Sequence, residues 1–416
     1  MKRSLPAYWK HVTTVLGGAL GAQVLPLLAA PLITRLCSPA EMGVFSVWLG
    51  TVAVVAIAAT LRLEAALILD HNLYHQRIGY AVIANAAAII ALAAGACAAL
   101  AHMLGVQTAA RIPWLGIAAL APAIWLSACM QATLAFATAK GAFGKAASAK
   151  IWGAGSIAAV QLALLALGAG SAALVLGQLA GLAAGLAAAT WLLAPPSPRI
   201  GTLAADDARR YLRRHAAFWR FSLPSNLLNA LVGQLPLYII GARHGALAAG
   251  LFALTQRVLS APVALLAASV LEVFKRQSVM DFRVHGSCRE AYLYTFKALL
   301  LLGAGPSALL LLYSPTLFAW VFGEQWRRAG ELAQLLAPLY FLNFVASPLS
   351  YVFFVTGRQK IDLVWQVALF GMTLGVFLVP GTLEQNVARY AIGYSALYLV
   401  YLRMSYQCSG NKVAFA

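Results

Sequence analysis

The chain has 416 residues, of which 62% are hydrophobic and only 10% charged, with a mean hydropathy of +0.80. Soluble globular domains carry roughly 25% charged residues, so a soluble fold is excluded and the chain is read as an all-α polytopic membrane protein. Its formal net charge of +18 would suit nucleic acid, but the positive charges fall between apolar stretches of about 20 residues, the length that crosses a bilayer, and nucleic acid is excluded as a partner.

In chain order, Lys2, Arg3 and Lys10 precede an apolar run from Val12 to Ile33. That run is longer than the roughly 7–15 apolar residues of a signal peptide, and polytopic sequence follows, so an uncleaved first span is favoured over a leader. It contains Gln23 and Pro26 and is closed by Arg35. Ser38-Pro39-Ala40-Glu41-Met42-Gly43 turns into a second span, Val44–Leu69, which holds Arg62 and Glu64. Further spans are predicted at Tyr80–Leu104, Trp114–Thr138, Ile151–Leu167, Ala172–Leu193, Trp219–Ile240, Leu247–Leu271, Tyr292–Leu312, Leu332–Val355, Leu363–Val379 and Val387–Arg403, about twelve in all. The fifth and sixth are separated only by Gly168–Ser171, and their Ala and Gly residues suit close packing against each other.

Lys and Arg alternate between loops. The set with Lys2, Arg77, Lys140, Arg209, Lys275, Arg358 and Lys412 outnumbers the set with Arg35, Arg111, Arg243, Arg327 and Arg328 by roughly four to one, which places the first set and both termini in the cytoplasm. The longest polar stretch, residues 195–218, carries Asp206-Asp207 ahead of Arg209, Arg210, Arg213 and Arg214. Two acids at a helix start and arginines four apart on one face describe an interfacial helix on anionic lipid. An ordinary positive-inside loop obeys the same rule, and both remain open.

The two halves share short matches at an offset of about 210 residues: Tyr8-Trp9-Lys10 with Phe218-Trp219-Arg220, Gln23-Val-Leu-Pro26 with Gln234-Leu-Pro236, Gly43-Val-Phe45 with Gly250-Leu-Phe252, and Leu63-Glu64 with Leu271-Glu272. Six spans per half makes this a parallel repeat about an axis along the membrane normal. The domains are therefore expected to be a six-helix lobe over 1–194, a basic linker over 195–218 and a second six-helix lobe over 219–416. Prolines in matching spans point to helix bends at a binding site, with Pro26, Pro236, Gln23 and Gln234 as candidate bend or gating residues, although a static kink would leave the same trace.

An ionised arginine at a helix centre costs about 2.5–3.5 kcal/mol on insertion scales, so Arg62 and Arg257, the deepest cations, mark a wet cationic cavity, with Arg35 at its outer mouth. A structural salt bridge is the alternative for Arg62. Glu64 is the clearest intramembrane acid, a candidate for ion coupling or for pairing. Two positions from Arg62 on one helix, it would face another way, so the two are not expected to pair with each other. Net positive cavity charge favours an anionic ligand. Enzyme classes fare poorly: Asp206-Asp207 is the only acidic pair, and no P-loop or dinucleotide turn occurs. His71 and His75 are read as solvated, and the five scattered cysteines as apolar fillers. No metal, cofactor or catalytic residue is expected.

The opening Gly18-x-x-x-Ala22-Gln23-x-x-Pro26-x-x-x-x-Pro31-x-x-Thr34-Arg35, then Ser38-Pro-Ala-Glu-Met-Gly-Val-Phe45 and Arg62-x-Glu64, resembles the start of bacterial oligosaccharide flippases. These form the polysaccharide-transport branch of the multidrug/oligosaccharidyl-lipid/polysaccharide exporter superfamily. Gln256-Arg257-Val-Leu-Ser-x-Pro262, Phe322-Gly323-Glu-x-Trp326-x-x-Ala-Gly330 and Ser347-Pro348-Leu-Ser350 extend the resemblance over nearly the whole chain. It implies two six-helix lobes around a central cationic cavity, working by alternating access in the bacterial cytoplasmic (inner) membrane. It implies an undecaprenyl-pyrophosphate-linked oligosaccharide as cargo, moved to the periplasmic leaflet for O-antigen, lipopolysaccharide, capsule or exopolysaccharide synthesis. A polysaccharide polymerase or chain-length protein then becomes a candidate partner. Cationic cavity residues of the family match Arg35, Arg62 and Arg257. A drug or small-molecule exporter of the same superfamily is the other reading, for which acidic cavity residues would be expected.

Overall fold

A computed structural model describes residues 25–70, 72–106, 110–195, 205–262 and 266–410. Among them every regular element is helical: α1 (Leu25–Leu36), α2 (Pro39–Ala59), α3 (Leu63–Leu69), α4 (Leu73–Met103), α5 (Trp114–Ala139), α6 (Phe143–Ala166), α7 (Ser171–Leu193), α8 (Ala205–Arg214), α9 (Leu223–Pro262), α10 (Ala268–His285), α11 (Arg289–Phe322), α12 (Arg327–Leu349), α13 (Val352–Val355), α14 (Gln359–Leu378) and α15 (Leu383–Ser409). Eight described helical runs are long and apolar enough to cross a membrane, and α1 and the apolar part of α14 are shorter. Large apolar side chains such as Ile89, Leu92, Leu301 and Leu312 are exposed along α4 and α11. With no water to hydrogen-bond a backbone in hydrocarbon, helices with apolar outer faces are the form such a chain takes. The chain is a multi-pass membrane protein.

Local sequence explains several ends. At the start of α2, Glu41 accepts from the Ser38 N–H and hydroxyl, each at 2.8 Å, while the Glu41 N–H donates back to Ser38 Oγ at 3.3 Å. This capping box satisfies backbone donors that would otherwise be orphaned at a helix start. The run Phe322–Gly330 is the turn from α11 to α12: Gly323 takes φ 112°, residues Glu324–Trp326 form a 3₁₀ turn, and Trp326 is buried. Ser314 then donates to the Gly330 carbonyl at 2.8 Å, tying the two helices.

The chain divides into two compact units at Ala249–Gly250. In the first, α6 and α7 pack as their composition predicts. A Cβ on Gly181 would lie 2.8 Å from the Gly153 carbonyl, and one on Gly153 would lie 3.3 Å from the Gly185 Cα. Backbones approach this closely only where side chains are absent. Gln161 bridges the pair by donating to the Leu174 carbonyl at 3.0 Å. The arm of α9 up to Gly245 also belongs to this unit. Gly245, at φ 90° and ψ 176°, breaks the helical dihedrals, which is how one predicted pair of spans, the seventh and eighth, is carried on one run. In the second unit, α12 and α15 pack together, and Trp365 of α14 stacks among Tyr394, Tyr398 and Tyr401 of α15.

Candidate functional site

The second span is not one helix. It stops at Ala59 and restarts at Leu63, with Leu61 at φ 52° and Arg62 at φ 57°. Two consecutive non-glycine residues in the left-handed region cost about 1–2 kcal/mol each. Thr60 steadies the break: its hydroxyl donates to the Ile57 carbonyl at 3.1 Å and accepts from the Arg62 N–H at 3.3 Å. The expectation that Arg62 and Glu64 do not pair is corrected here. Arg62 Nη1 lies 2.9 Å from Glu64 Oε1, because the left-handed turn swings Arg62 off the helical path on which two-residue spacing separates faces. The pair is partly buried, with side chains 30% and 12% exposed, while Arg62 Nε and Glu64 Oε2 are buried without a hydrogen-bond partner among the described residues. Those two atoms leave the pair able to engage a further polar group.

Gln234 and Pro236 sit on the first arm of α9. Pro236 is buried, and the helical dihedrals continue through it as far as Gly245. Gln234 is packed against α2, where a Cβ on Gly50 would meet its Oε1 at 2.9 Å, and Tyr238 is hydrogen-bonded to Thr51. Pro26 is the second described residue of α1 and is half-buried. Gln23 lies outside the described residues, as do Tyr8, Trp9, Lys10, His71, Pro196 and Lys412. Arg35 is exposed, one residue from the end of α1.

Arg111 was one of the few cations on the sparse loops. Its Nη1 donates to the Gly241 carbonyl at 2.6 Å, so it holds the end of the first α9 arm. Together with Trp48, Thr51 and Tyr238 it lines a largely apolar cavity of about 300 Å³ within the first unit. No spacing rule would have singled out Arg111, since its partner is a backbone carbonyl 130 residues away.

In the second unit, Arg257 lies twelve residues past Gly245, roughly 18 Å along the helix axis. Its side chain is exposed, and among the described residues its guanidinium has neither a hydrogen bond nor an ion pair. Nearby, Thr255 donates to the Ala329 carbonyl at 2.8 Å, which fixes this arm of α9 against the start of α12. Glu272, the repeat counterpart of Glu64, is exposed and pairs with Lys275.

The basic linker forms α8, and α8 is docked. Tyr211 is 3% exposed within a core of Leu63, Leu67, Tyr80 and Ile83. Its hydroxyl donates to the buried Asp70 Oδ2 at 2.8 Å, His215 Nε2 stands 3.5 Å from the same oxygen, and Gln76 donates to the Asp70 carbonyl at 2.6 Å. His75, expected to be solvated, has Arg214 Nη1 at 3.1 Å. Desolvation lowers the His215 pKa below the ordinary imidazole value, Asp70 opposes the shift, and Arg214 and His75 add to it. The acidic start and basic end of α8 follow the helix dipole, and Asp207 also pairs with Arg210 at 2.6 Å. Asp70 carried no sequence signal of its own, being a single acid at a loop edge.

The sequence profile of the family described as polysaccharide biosynthesis protein matches residues 32–331, more than two thirds of the chain. The chain belongs to this family. The teichuronic acid biosynthesis protein TuaB of Bacillus subtilis (strain 168) is 26% identical over 186 residues, which is 44% of this chain and 38% of that protein. The chain thus aligns with well under half the length of this curated relative. Among solved structures, the lipid II flippase MurJ in an inward closed conformation matches with a TM-score of 0.72 at 11% identity, over 94% of this chain and 86% of MurJ. An inward-facing multidrug-resistance MATE family transporter of the MOP superfamily matches with a TM-score of 0.66 at 16% identity, over 92% and 93% of the two chains. A MOP superfamily transporter from Pyrococcus furiosus matches at 0.59 and 15% identity, over 95% and 93%. At these identities the likeness establishes a shared fold: this protein has the fold of the MOP superfamily transporters.

Proposed function

We propose that the protein is a flippase that moves an undecaprenyl-pyrophosphate-linked oligosaccharide from the cytoplasmic to the periplasmic leaflet by alternating access, in the synthesis of a surface polysaccharide such as O-antigen, capsule or exopolysaccharide. The observation that carries this is Arg257, an intramembrane guanidinium with no anionic partner among the described residues, in a chain of the polysaccharide biosynthesis family. A pyrophosphate head carries at least two negative charges, and even a partly buried ion costs several kcal/mol when uncompensated. Guanidinium groups match phosphate oxygens bidentately and replace their hydration during passage. Glu64 is already neutralised by Arg62, so the acidic surplus a cation-exporting drug pump would need is missing from the described intramembrane residues. That favours the flippase over the small-molecule exporter, and the likeness to a protein named a lipid II flippase supports it.

In this proposal Arg35, Arg62 and Arg257 are substrate-binding residues, and Gln234, Pro236, Gln23 and Pro26 belong to the bending helices. The protein sits in the cytoplasmic membrane with both termini inside. Its lobes follow the repeat, 1–194 and 219–416 with 195–218 between, and a polysaccharide polymerase or chain-length protein takes over the exported unit. Deleting the gene should abolish one surface polysaccharide and accumulate its lipid-linked unit on the cytoplasmic side. Complementation with Arg257→Ala or Arg257→Glu should fail at normal protein abundance, whereas Arg257→Lys should restore part of the polymer, because charge survives and only the planar fork is lost. Full export by a well-expressed Arg62→Ala, Arg257→Ala double variant would end the proposal.

A further inference from the structure

A second cationic site lies at one end of the second unit. The N-terminal ends of α11 and α14 and the C-terminal end of α15 surround a polar cavity of about 450 Å³, whose walls include Arg289, Arg358, Gln407 and Cys408. Arg289 is the first residue of α11 and Arg358 immediately precedes α14. Neither guanidinium meets a carboxylate among the described residues. Arg289 donates through Nε at 3.1 Å and Nη2 at 2.5 Å to the Tyr406 hydroxyl and stacks on that ring at 4.5 Å, and Arg358 Nη1 donates to Cys408 Sγ at 3.4 Å. Tyr406 and Cys408 contribute a hydroxyl and a sulfur rather than a carboxylate, and they orient the two cations. The C-terminal end of α15 is covered, because the Ser409 carbonyl accepts from the Cys288 N–H at 3.0 Å and from the Ser287 hydroxyl at 3.1 Å. Asp281 of α10 is engaged by Gln277 at 3.1 Å.

Two like charges held at one cavity, with no carboxylate on either among the described residues, repel each other unless an anion sits between them. The cavity lies at the start of α11, a helix long and apolar enough to cross a membrane, which puts it near the depth of lipid head groups, and its donors have the fork geometry that binds phosphate oxygens. We infer that Arg289 and Arg358 form a binding site for a phosphate group at the membrane surface, separate from the deep arginines. Tyr406 and Cys408 position the two guanidinium groups and Gln407 adds an amide to the wall. That this surface is the cytoplasmic one rests on the orientation proposed above, and the binding itself does not.

The test is retention of lipid by the full-length purified protein, read by native mass spectrometry as phosphatidylglycerol or phosphatidylcholine is titrated, with inorganic pyrophosphate as a soluble competitor. Wild-type protein should retain phosphatidylglycerol over phosphatidylcholine. The double variant Arg289→Gln, Arg358→Gln should lose that preference by about tenfold, the worth of one or two charge-assisted hydrogen bonds. The double lysine variant should fall between them, and Arg276→Gln with Arg283→Gln, exposed cations away from the cavity, should behave as wild type. Displacement by pyrophosphate would assign the site to phosphate from solution as well as from lipid. Resistance to it would assign the site to the lipid head group, and both results support a phosphate site. If the double glutamine variant fails to fold, each single variant is read in the same way. Equal retention by a glutamine variant with wild-type melting temperature, or no lipid preference in the wild type, overturns the inference. Because the assay reads binding rather than export, its failure leaves the flippase proposal standing, and a failed flippase proposal leaves this site untouched.

Discussion

At the scale of single residues, the pair Arg62–Glu64 is where charge, backbone and membrane meet. Glu64→Gln strands a half-buried guanidinium and should destabilise the protein by about 1–3 kcal/mol, between the worth of an exposed pair and a buried one. The loss should appear as a lower melting temperature in detergent. The charge-swapped variant Arg62→Glu, Glu64→Arg separates two roles. If the pair is structural only, the swap restores both stability and export. If Arg62 also binds substrate, stability returns and polysaccharide export does not. Arg62 is off the helical path that spacing alone assumes, since the backbone at Leu61 and Arg62 is left-handed, while Glu64 lies in the first turn of α3. No glycine or proline marks that break, and Leu-Arg reads like continued helix.

At the scale of elements, α8 is held to the first unit by a buried hydrogen bond rather than by lipid alone. Tyr211→Phe removes a bond to an acidic acceptor, worth about 1.5–3 kcal/mol, and should raise amide exchange across 205–214 while sparing α6 and α7. The same helix should respond to pH. His215 has a lowered pKa, so its neutral form is the one favoured when docked. Its contribution is complete above about pH 6.5, the unfolded imidazole value, and is lost as pH falls through the lower docked value. Exchange of 205–214 should therefore accelerate on acidification, and His215→Gln should flatten that response. A second elemental test is the α6–α7 seam. Gly181→Val drives a side chain into the Gly153 carbonyl and Ile157, and overpacking of this kind costs about 1–3 kcal/mol, visible as reduced folded yield.

At the scale of the whole molecule, the testable property is orientation. The proposed orientation, which rests on Lys and Arg counts between spans, puts the loop at Cys288 inside and the turns at Pro39 and Gln325 outside. Reporter fusions at those three positions should read cytoplasmic, periplasmic and periplasmic. A periplasmic signal at Cys288 would reverse the proposed direction of transport and move the Arg289–Arg358 cavity to the other leaflet. Exposed leucines and isoleucines along α4 and α11 should sit in lipid, so charged substitutions such as Leu301→Arg should block insertion rather than alter cargo.

The sequence by itself determined the membrane class, most of the apolar spans and the close pairing of α6 with α7. All of these are local: hydrophobic run length and small-residue content need no distant partner. The family motif Phe322–Gly330 was likewise legible, and the structure supplies its reason in the Gly323 turn, the buried Trp326 and the bond from Ser314 to the Gly330 carbonyl. Only the tertiary structure decided that the second span breaks at Arg62, that Arg62 and Glu64 meet, that Asp70 anchors Tyr211 from 141 positions away, and that Arg111 holds the Gly241 carbonyl. Each depends on a dihedral switch or on a partner remote in the chain. One-dimensional periodicity carries neither, because an arginine that binds a distant carbonyl and one that faces water have the same letter and the same spacing.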